Sequence, residues 1–367
     1  MGMEKKMKVA FLSFYNGEIY RGVETYVYEL SNKLTEIDVD VTVYQNGSKL
    51  KNSKYKTVSI SLPIDWTQKE LDGRFLGIAF TDYFAKLVGR FTKIVLGRID
   101  KDIDILITTN GSLQVLFTRL WCLLHGKKHI AVGQSGLGAD DKWNLMMLPD
   151  VFVALTNYQK EWAKKFSPFV KVNVIPNGVD LKKFNLKNKA LKIDLPKPII
   201  LTVGALEEGK RLDLVIKVVA KTKASLLIVG KGKLRDELQI LGDKLMKNRF
   251  KIISLPFEDM PTVYSACDLF TYPTVPWESF GIVIVEAMAS NLAVVATDDP
   301  IRNEIVGEAG LFVDPTNIDK YAETLEKALE IKWGTKPREQ SEKFSWDDIA
   351  IKYKKMFEKI MNLSITQ

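Results

Sequence analysis

The chain has 367 residues, 46% hydrophobic and 27% charged. That is enough apolar material for two or three domains with real cores, and it excludes disorder as the main state. Lys and Arg total 53 against 45 Asp and Glu, a net charge of +8, which is compatible with an anionic substrate, a membrane surface, nucleic acid or plain solubility. Two distant cysteines, Cys122 and Cys267, and two histidines, His125 and His129, exclude a disulfide framework and argue against a Cys/His metal site.

In chain order, MKVAFLSF (7–14) reads as a buried strand and 23–36 as a helix, with Val23, Tyr26, Val27, Leu30 and Leu34 at helical spacing. Strands are predicted at 39–45, 103–110, 128–134, 151–156 and 170–176, with helices near 113–124 and 157–165. The pattern then restarts: strand 197–205 ends in glycine, helix 211–223 follows, and further strands fall at 224–232, 250–256, 268–274 and 292–298. Alternating strands and helices predict α/β architecture, with two tandem Rossmann-like, doubly wound domains. The turn cluster Pro176-Asn177-Gly178 marks the boundary. Residues 1–176 with 346–367 form one predicted domain and 177–345 the other, and a closing helix after Ser345 (346–361) returns to the first. Ligands of such folds bind in the crevice beyond the carboxyl ends of the strands, here expected between the two domains.

The most informative stretch is Glu278-Ser279-Phe280-Gly281-Ile282-Val283-Ile284-Val285-Glu286. A glycine turn opens an apolar helix, whose first N–H groups suit a phosphate. Glu286 lies about 7.5 Å further along that helix, suited to accept hydrogen bonds from a ribose, while Glu278 precedes the turn and suits the group beyond the diphosphate. After the strand at 197–205, the loop from Gly204 brings Lys210 and Arg211 to a helix start, two cations suited to phosphate. Gly230-Lys231-Gly232 forms a strand-to-helix turn that matches neither a Walker loop nor a dinucleotide fingerprint. Gly22, after Arg21, opens the first helix and would let the backbone approach a phosphate. Each of these also has a plain structural reading as a turn, cap or solvated basic pair.

Taken together, these residues resemble the retaining glycosyltransferases of family 4, of GT-B fold. The resemblance covers nearly the whole chain. It rests on Glu278 to Glu286 (the family's E-x7-E), the G-x-L-x-x-x-K loop from Gly204 to Lys210, and the GVE at Gly22. YSACDLFTYPT (264–274), AGLFVDP (309–315) and the helix after SW (345–346) add to it. The resemblance implies transfer of a sugar from a UDP- or GDP-sugar to a lipid, glycan or small-molecule acceptor, with no metal or other cofactor. It implies donor binding mainly by the second domain, acceptor binding by the first, and glycan biosynthesis at the cytoplasmic face of a membrane. By position, Glu286 would take the ribose hydroxyls and Glu278 the donor sugar. Ser279, Phe280 and Gly281 would line the diphosphate or sugar, Lys210 with Arg211 would neutralise the diphosphate, and Gly22, Gly204 and Gly230 would border it.

The chain departs from the family at three places. Ala205 stands where an arginine is common, and Arg21 replaces the first glycine of a pair. AVGQSGLGADD (131–141) has Gln134 and no histidine near the donor sugar. Gln134 is thus the expected first-domain catalytic residue, with Asp140 or Asp141 as a weaker base. Two alternatives follow: a nucleotide-sugar epimerase of the same architecture, or a non-catalytic nucleotide-sugar-binding protein. Asp38-Val39-Asp40 and Asp102-Ile103-Asp104 mimic a metal-binding DxD, but each precedes an apolar strand and reads as a strand-edge loop. Residues 74–98 pattern as a basic amphipathic helix or helix pair. Leu76, Phe80, Phe84, Leu87, Phe91, Ile94 and Val95 share one face and Lys86, Arg90 and Lys93 another, which suits either docking on anionic lipid or packing on the first sheet. No aromatic-interleaved basic motif points to nucleic acid. No window reaches the roughly 18 apolar residues of a membrane span, and no signal-peptide stretch precedes the first strand, so a cytoplasmic protein is expected, peripheral at the inner face of a membrane if the basic helix docks there.

Overall fold

A computed structural model describes residues 6–68, 82–111 and 113–362. The chain folds into two units: Met1–Asn177 with Trp346–Gln367, and Gly178–Ser345.

The first unit is built on seven parallel strands: β1 (Lys8–Ser13), β2 (Asp40–Gln45), β3 (Lys56–Ser59), β4 (Ile105–Thr108), β5 (Lys128–Val132), β6 (Val151–Ala154) and β7 (Val172–Val174). Their spatial order is β3-β2-β1-β4-β5-β6-β7. The central strands are continuous apolar runs because helices cover both faces: Val9 to Leu12 of β1 and Ile105 to Ile107 of β4 are fully buried. The helices are α1 (Gly22–Glu36), α2 (Tyr83–Leu96), α3 (Leu113–His125), α4 (Ala139–Met146) and α5 (Asn157–Phe166). The last helix of the chain, α13 (Trp346–Asn362), packs on α1. The Tyr26 and Tyr353 hydroxyls meet at 3.0 Å and the Trp346 ring lies 6.2 Å from that of Tyr26.

The second unit repeats the logic with β8 (Ile199–Val203), β9 (Ser225–Val229), β10 (Phe250–Ile253), β11 (Leu269–Tyr272), β12 (Val294–Thr297) and β13 (Gly310–Val313), all parallel, in the order β10-β9-β8-β11-β12-β13. Its helices are α6 (Leu212–Val219), α7 (Arg235–Met246), α8 (Met260–Tyr264), α9 (Ile282–Ala289), α10 (Pro300–Val306), α11 (Ile318–Glu330) and α12 (Lys336–Glu342). In this sheet the winding reverses between β8 and β11, so the loops leaving those two strands lie side by side, where doubly wound sheets place ligands.

Two strands escape a reading by periodicity. β3 and β13 are four-residue edge strands, exposed or half-buried over most of their length, so neither carries the buried apolar run that marks the others. Of the two readings of the amphipathic stretch at 74–98, the described part follows packing on the first sheet. Residues 74–81 lie outside the described residues. In the described part, α2 buries Phe84, Leu87, Phe91 and Val95 in the first unit's core. The apolar face considered for lipid is therefore already occupied by protein, and only its basic side is exposed.

The two DxD look-alikes are used locally, as strand-edge loops. Asp104 accepts the Lys8 N–H at 2.9 Å, Asp102 pairs with the Lys8 ammonium, and Asp38 pairs with Lys6 at 2.9 Å.

Candidate functional site

The loop after β8 and the loop after β11 meet at an ion pair. Lys210 closes a 3-10 turn, Glu208–Lys210, and its Nζ donates to Glu278 Oε2 at 2.7 Å and to the Tyr272 hydroxyl at 3.4 Å. Lysine and glutamate are both mostly shielded, with side chains 21% and 24% exposed. Burial alone would lower the Lys210 pKa, but Tyr272 and Glu278 outweigh it and the net shift is upward, so the ammonium remains charged at neutral pH. Arg211 follows in the left-handed region (φ 52°) and opens α6.

Gly204 leaves β8 with its N–H bonded to the Val229 carbonyl at 3.1 Å. Gly230 is glycine for a packing reason: a Cβ there would lie 1.9 Å from the Gly204 carbonyl oxygen. Its missing side chain lets the turn after β9 lie directly against Gly204.

Glu278 is fixed from beneath by a residue that sequence reading passed over. Arg302 on α10 is fully buried. Its Nε donates to Asp299 at 2.8 Å, Nη1 to the carbonyls of Glu278 at 3.0 Å and Ser279 at 2.7 Å, and Nη2 to that of Pro276 at 3.1 Å. Asp299 in turn caps α10, accepting from the N–H groups of Ile301 and Arg302. The planar fork of a guanidinium suits this spread of acceptors; a lysine would not span it. The local signal was the DP pair opening a helix just after a buried strand, but nothing in the sequence says which loop an arginine three residues on will reach.

Gly281 caps α9 in the left-handed region (φ 75°), and a Cβ there would press to 3.0 Å against the Tyr272 ring. Tyr272 thus lies under the turn and beside Lys210, a second residue that sequence reading assigned no role. Phe280 is buried, its ring 5.6 Å from that of Phe344, so it anchors the turn from within.

Glu286, on α9, is 4% exposed and accepts a hydrogen bond from the Tyr264 hydroxyl at 2.8 Å. Burial pushes its carboxyl up to about 7, against the Tyr264 hydrogen bond, which lowers it. A carboxyl bound more tightly by protons in the folded state loses stability as pH rises from its unfolded value toward about 7. The loss amounts to about 3 kcal/mol once both states are ionised. Glu286→Gln should therefore raise the melting temperature at pH 8 by several degrees and leave it nearly unchanged at pH 5. Thermal unfolding at the two pH values checks this, and an equal effect at both would rule out the buried carboxyl as its source.

In the first unit, Gly22 is the first residue of α1, after Arg21, whose N–H donates to Glu24 Oε2 at 3.1 Å. The Gln134 amide is tied reciprocally to that of Asn177, at 2.9 and 3.0 Å. Asp141 is fully buried and accepts from Asn144 at 3.0 Å and Gln159 at 3.1 Å; its carboxyl is pushed well up by burial, and its neighbour Asp140 is also raised by burial. The second unit therefore brings Lys210, Glu278 and Gly281 together, with Glu286 further along α9. In the first unit Gln134 is held by Asn177 and Asp141 is engaged in the packing of α4 and α5.

Two family models match the chain in adjoining stretches, glycosyltransferase family 4 over residues 20–183 and glycosyl transferases group 1 over 183–345. The chain belongs to glycosyltransferase family 4. Among curated relatives of this family 4 chain, an N-acetylgalactosamine-N,N'-diacetylbacillosaminyl-diphospho-undecaprenol 4-alpha-N-acetylgalactosaminyltransferase of Campylobacter jejuni is 36% identical over 44% of this chain and 45% of its own length. A GDP-mannose-dependent monoacylated alpha-(1-6)-phosphatidylinositol monomannoside mannosyltransferase of Corynebacterium glutamicum is 27% identical over 49% and 53%. The chain thus spans about half the length of the curated relatives it matches. Among solved structures, Anabaena HepE with UDP and glucose superposes with a TM-score of 0.75 at 16% identity, covering 96% of this chain and 99% of that one. Sucrose-phosphate synthase of Thermosynechococcus elongatus gives 0.77 at 19% identity, covering 98% and 100%. The family 4 chain therefore has the GT-B fold.

Proposed function

We propose that the protein transfers a sugar from a nucleotide diphosphate sugar, a UDP- or GDP-sugar, to a lipid-linked or glycan acceptor, with retained anomeric configuration and without a metal ion. The observation that carries this is the Lys210–Glu278 pair, held over the Gly281 turn by Arg302. The second unit binds the donor and the first contributes acceptor contacts. Lys210 supplies the positive charge that opposes the leaving diphosphate, where stabilisation counts most as the glycosidic bond breaks. Glu278 accepts hydrogen bonds from the donor sugar, and Glu286 takes the ribose hydroxyls. The leaving phosphate takes the acceptor's proton, so no side-chain base is required. A UDP-bound neighbour and lipid-linked substrates named for two relatives support the donor and acceptor classes.

Accepting from ribose requires Glu286 as the carboxylate, and its pKa of about 7 predicts that nucleotide affinity strengthens as pH rises from 6 to 8. Titration calorimetry reads this slope, which Glu286→Gln should abolish. The reaction itself is tested by screening nucleotide sugars for thermal stabilisation, then assaying transfer and donor hydrolysis for the protein and its Glu278→Ala variant, with and without chelator. The anomer of the product is read by NMR. Turnover that persists in Glu278→Ala, stops on chelation or gives the inverted anomer would each remove one part of the reading.

A further inference from the structure

The first sheet ends at β7, with no strand beyond it. Phe152 donates to the Lys171 carbonyl and Ile175 to that of Ala154, both at 2.9 Å, and Asn173 is registered on Val153 between them. Backbone groups alternate sides along a strand, so Val172 and Val174 turn their N–H and C=O groups away from β6. Among the described residues nothing pairs with them. Such an edge is a template for another strand.

A cavity of about 480 Å³ lies along that edge. Residues 172–175 line it in unbroken succession. Side chains alternate between the two faces of a sheet, so an unbroken run places the edge of the strand in the opening. α5 borders the cavity with Lys160, and α13 borders it with Lys352, Lys355, Met356 and Lys359. Lys352, Lys355 and Lys359 recur at i, i+3, i+7, one row along α13, and all three are exposed. None of the three has an ion-pair partner among the described residues, and Lys160 reaches only Glu161, at 4.0 Å.

Lysines at a sheet edge also guard it against chance pairing. This guard is selective, because the row repels a basic strand and attracts an acidic one. A second copy of the chain would bring the same lysines to the edge, so two β7 strands are poorly matched. An oligonucleotide or a lipid headgroup would meet the lysines but leave the Val172 and Val174 backbone groups unused. An extended acidic chain uses both.

We propose that the β7 edge receives an extended acidic segment of a partner protein, which joins the seven-stranded sheet as a further strand. Its main chain pairs with Val172 and Val174, and its carboxylates meet the lysine row of α13. In strand addition of this kind the main-chain bonds give affinity and the flanking side chains give selectivity. All of these residues lie in the first unit, whereas Lys210 and Glu278 belong to the second. The proposal therefore stands independently of which reaction the chain catalyses.

Fluorescence anisotropy of the full chain with a labelled peptide of about eight alternating Glu and Val residues tests it. Saturable binding is expected, at least about tenfold tighter than that of the matching Lys and Val peptide. N-methylation of every peptide nitrogen keeps the carboxylates and removes the donors, and should weaken binding by about tenfold or more. Lys352→Gln with Lys355→Gln and Lys359→Gln should weaken it by roughly tenfold. The melting temperature should not change, because the three side chains are exposed and unpaired. Absence of binding, or binding that ignores either N-methylation or the lysine substitutions, would overturn the proposal. Binding of oligothymidylate or phosphatidylglycerol vesicles through the same lysines, with the acidic peptide ignored, would overturn it in favour of a phosphate-bearing polymer or surface.

Discussion

An alanine at Lys210 should lower kcat/KM for sugar transfer by about 10²–10³, the usual cost of removing one well-placed donor to a developing anion. The ammonium sits against Glu278 and Tyr272, so the fold itself positions its charge. Removing it leaves the mostly shielded Glu278 carboxylate without the cation that pairs with it. An incoming diphosphate would then meet that carboxylate directly. Lys210→Arg should recover only part of the rate, because a wide planar fork does not fit a niche shaped by the Tyr272 ring around a compact ammonium. Steady-state kinetics on the proposed UDP- or GDP-sugar, alongside melting curves that show both variants folded, decides the matter. Activity within about threefold of the parent for Lys210→Ala would mean that the cation serves only the loop.

The largest effect on stability is expected at Arg302. Arg302→Met keeps much of the side chain's volume but leaves Asp299 as a buried anion without its cation, and the carbonyls of Pro276, Glu278 and Ser279 without that donor. Breaking one side of a buried ion pair costs about 3–5 kcal/mol, and denaturant unfolding of the second unit should show a loss of that size. Arg302→Lys should lose nearly as much, since one ammonium cannot reach all of these acceptors. Where the variants remain folded, the turn that carries Glu278 loses its support, and kcat should fall with little change in nucleotide affinity. A stability loss below about 1 kcal/mol would show that water replaces the guanidinium without penalty.

Much of this protein could be read from the order of its residues. The alternating apolar runs at 7–14, 103–110, 197–205 and 292–298 specify buried parallel strands, because only strands covered on both faces are apolar throughout. The edge strands β3 and β13 left no such mark: each is short and mostly half-exposed, so its place comes from pairing with β2 or β12 and not from its own composition. The glycines show the same divide. Gly281 stands at φ 75°, a need that local sequence can suggest beside a helix start, whereas Gly230 is required by the approach of a carbonyl twenty-six residues earlier.

The site divides in the same way. Glu278, Gly281, Glu286 and Lys210 were legible because a turn, a helix spacing and a strand-to-helix loop are local patterns. Only the folded chain decided that Lys210 faces Glu278, that Tyr272 lies under both, and that Arg302 holds the loop from below. These contacts join residues 24 to 68 positions apart through the pairing of β8, β11 and β12. Tertiary packing likewise turned the apolar side of α2 inward, whereas α3 buries Leu113, Val115 and Cys122 and leaves Leu120, Leu123 and Leu124 outward. Both helices are amphipathic in sequence, and periodicity does not say which face a neighbouring element will cover.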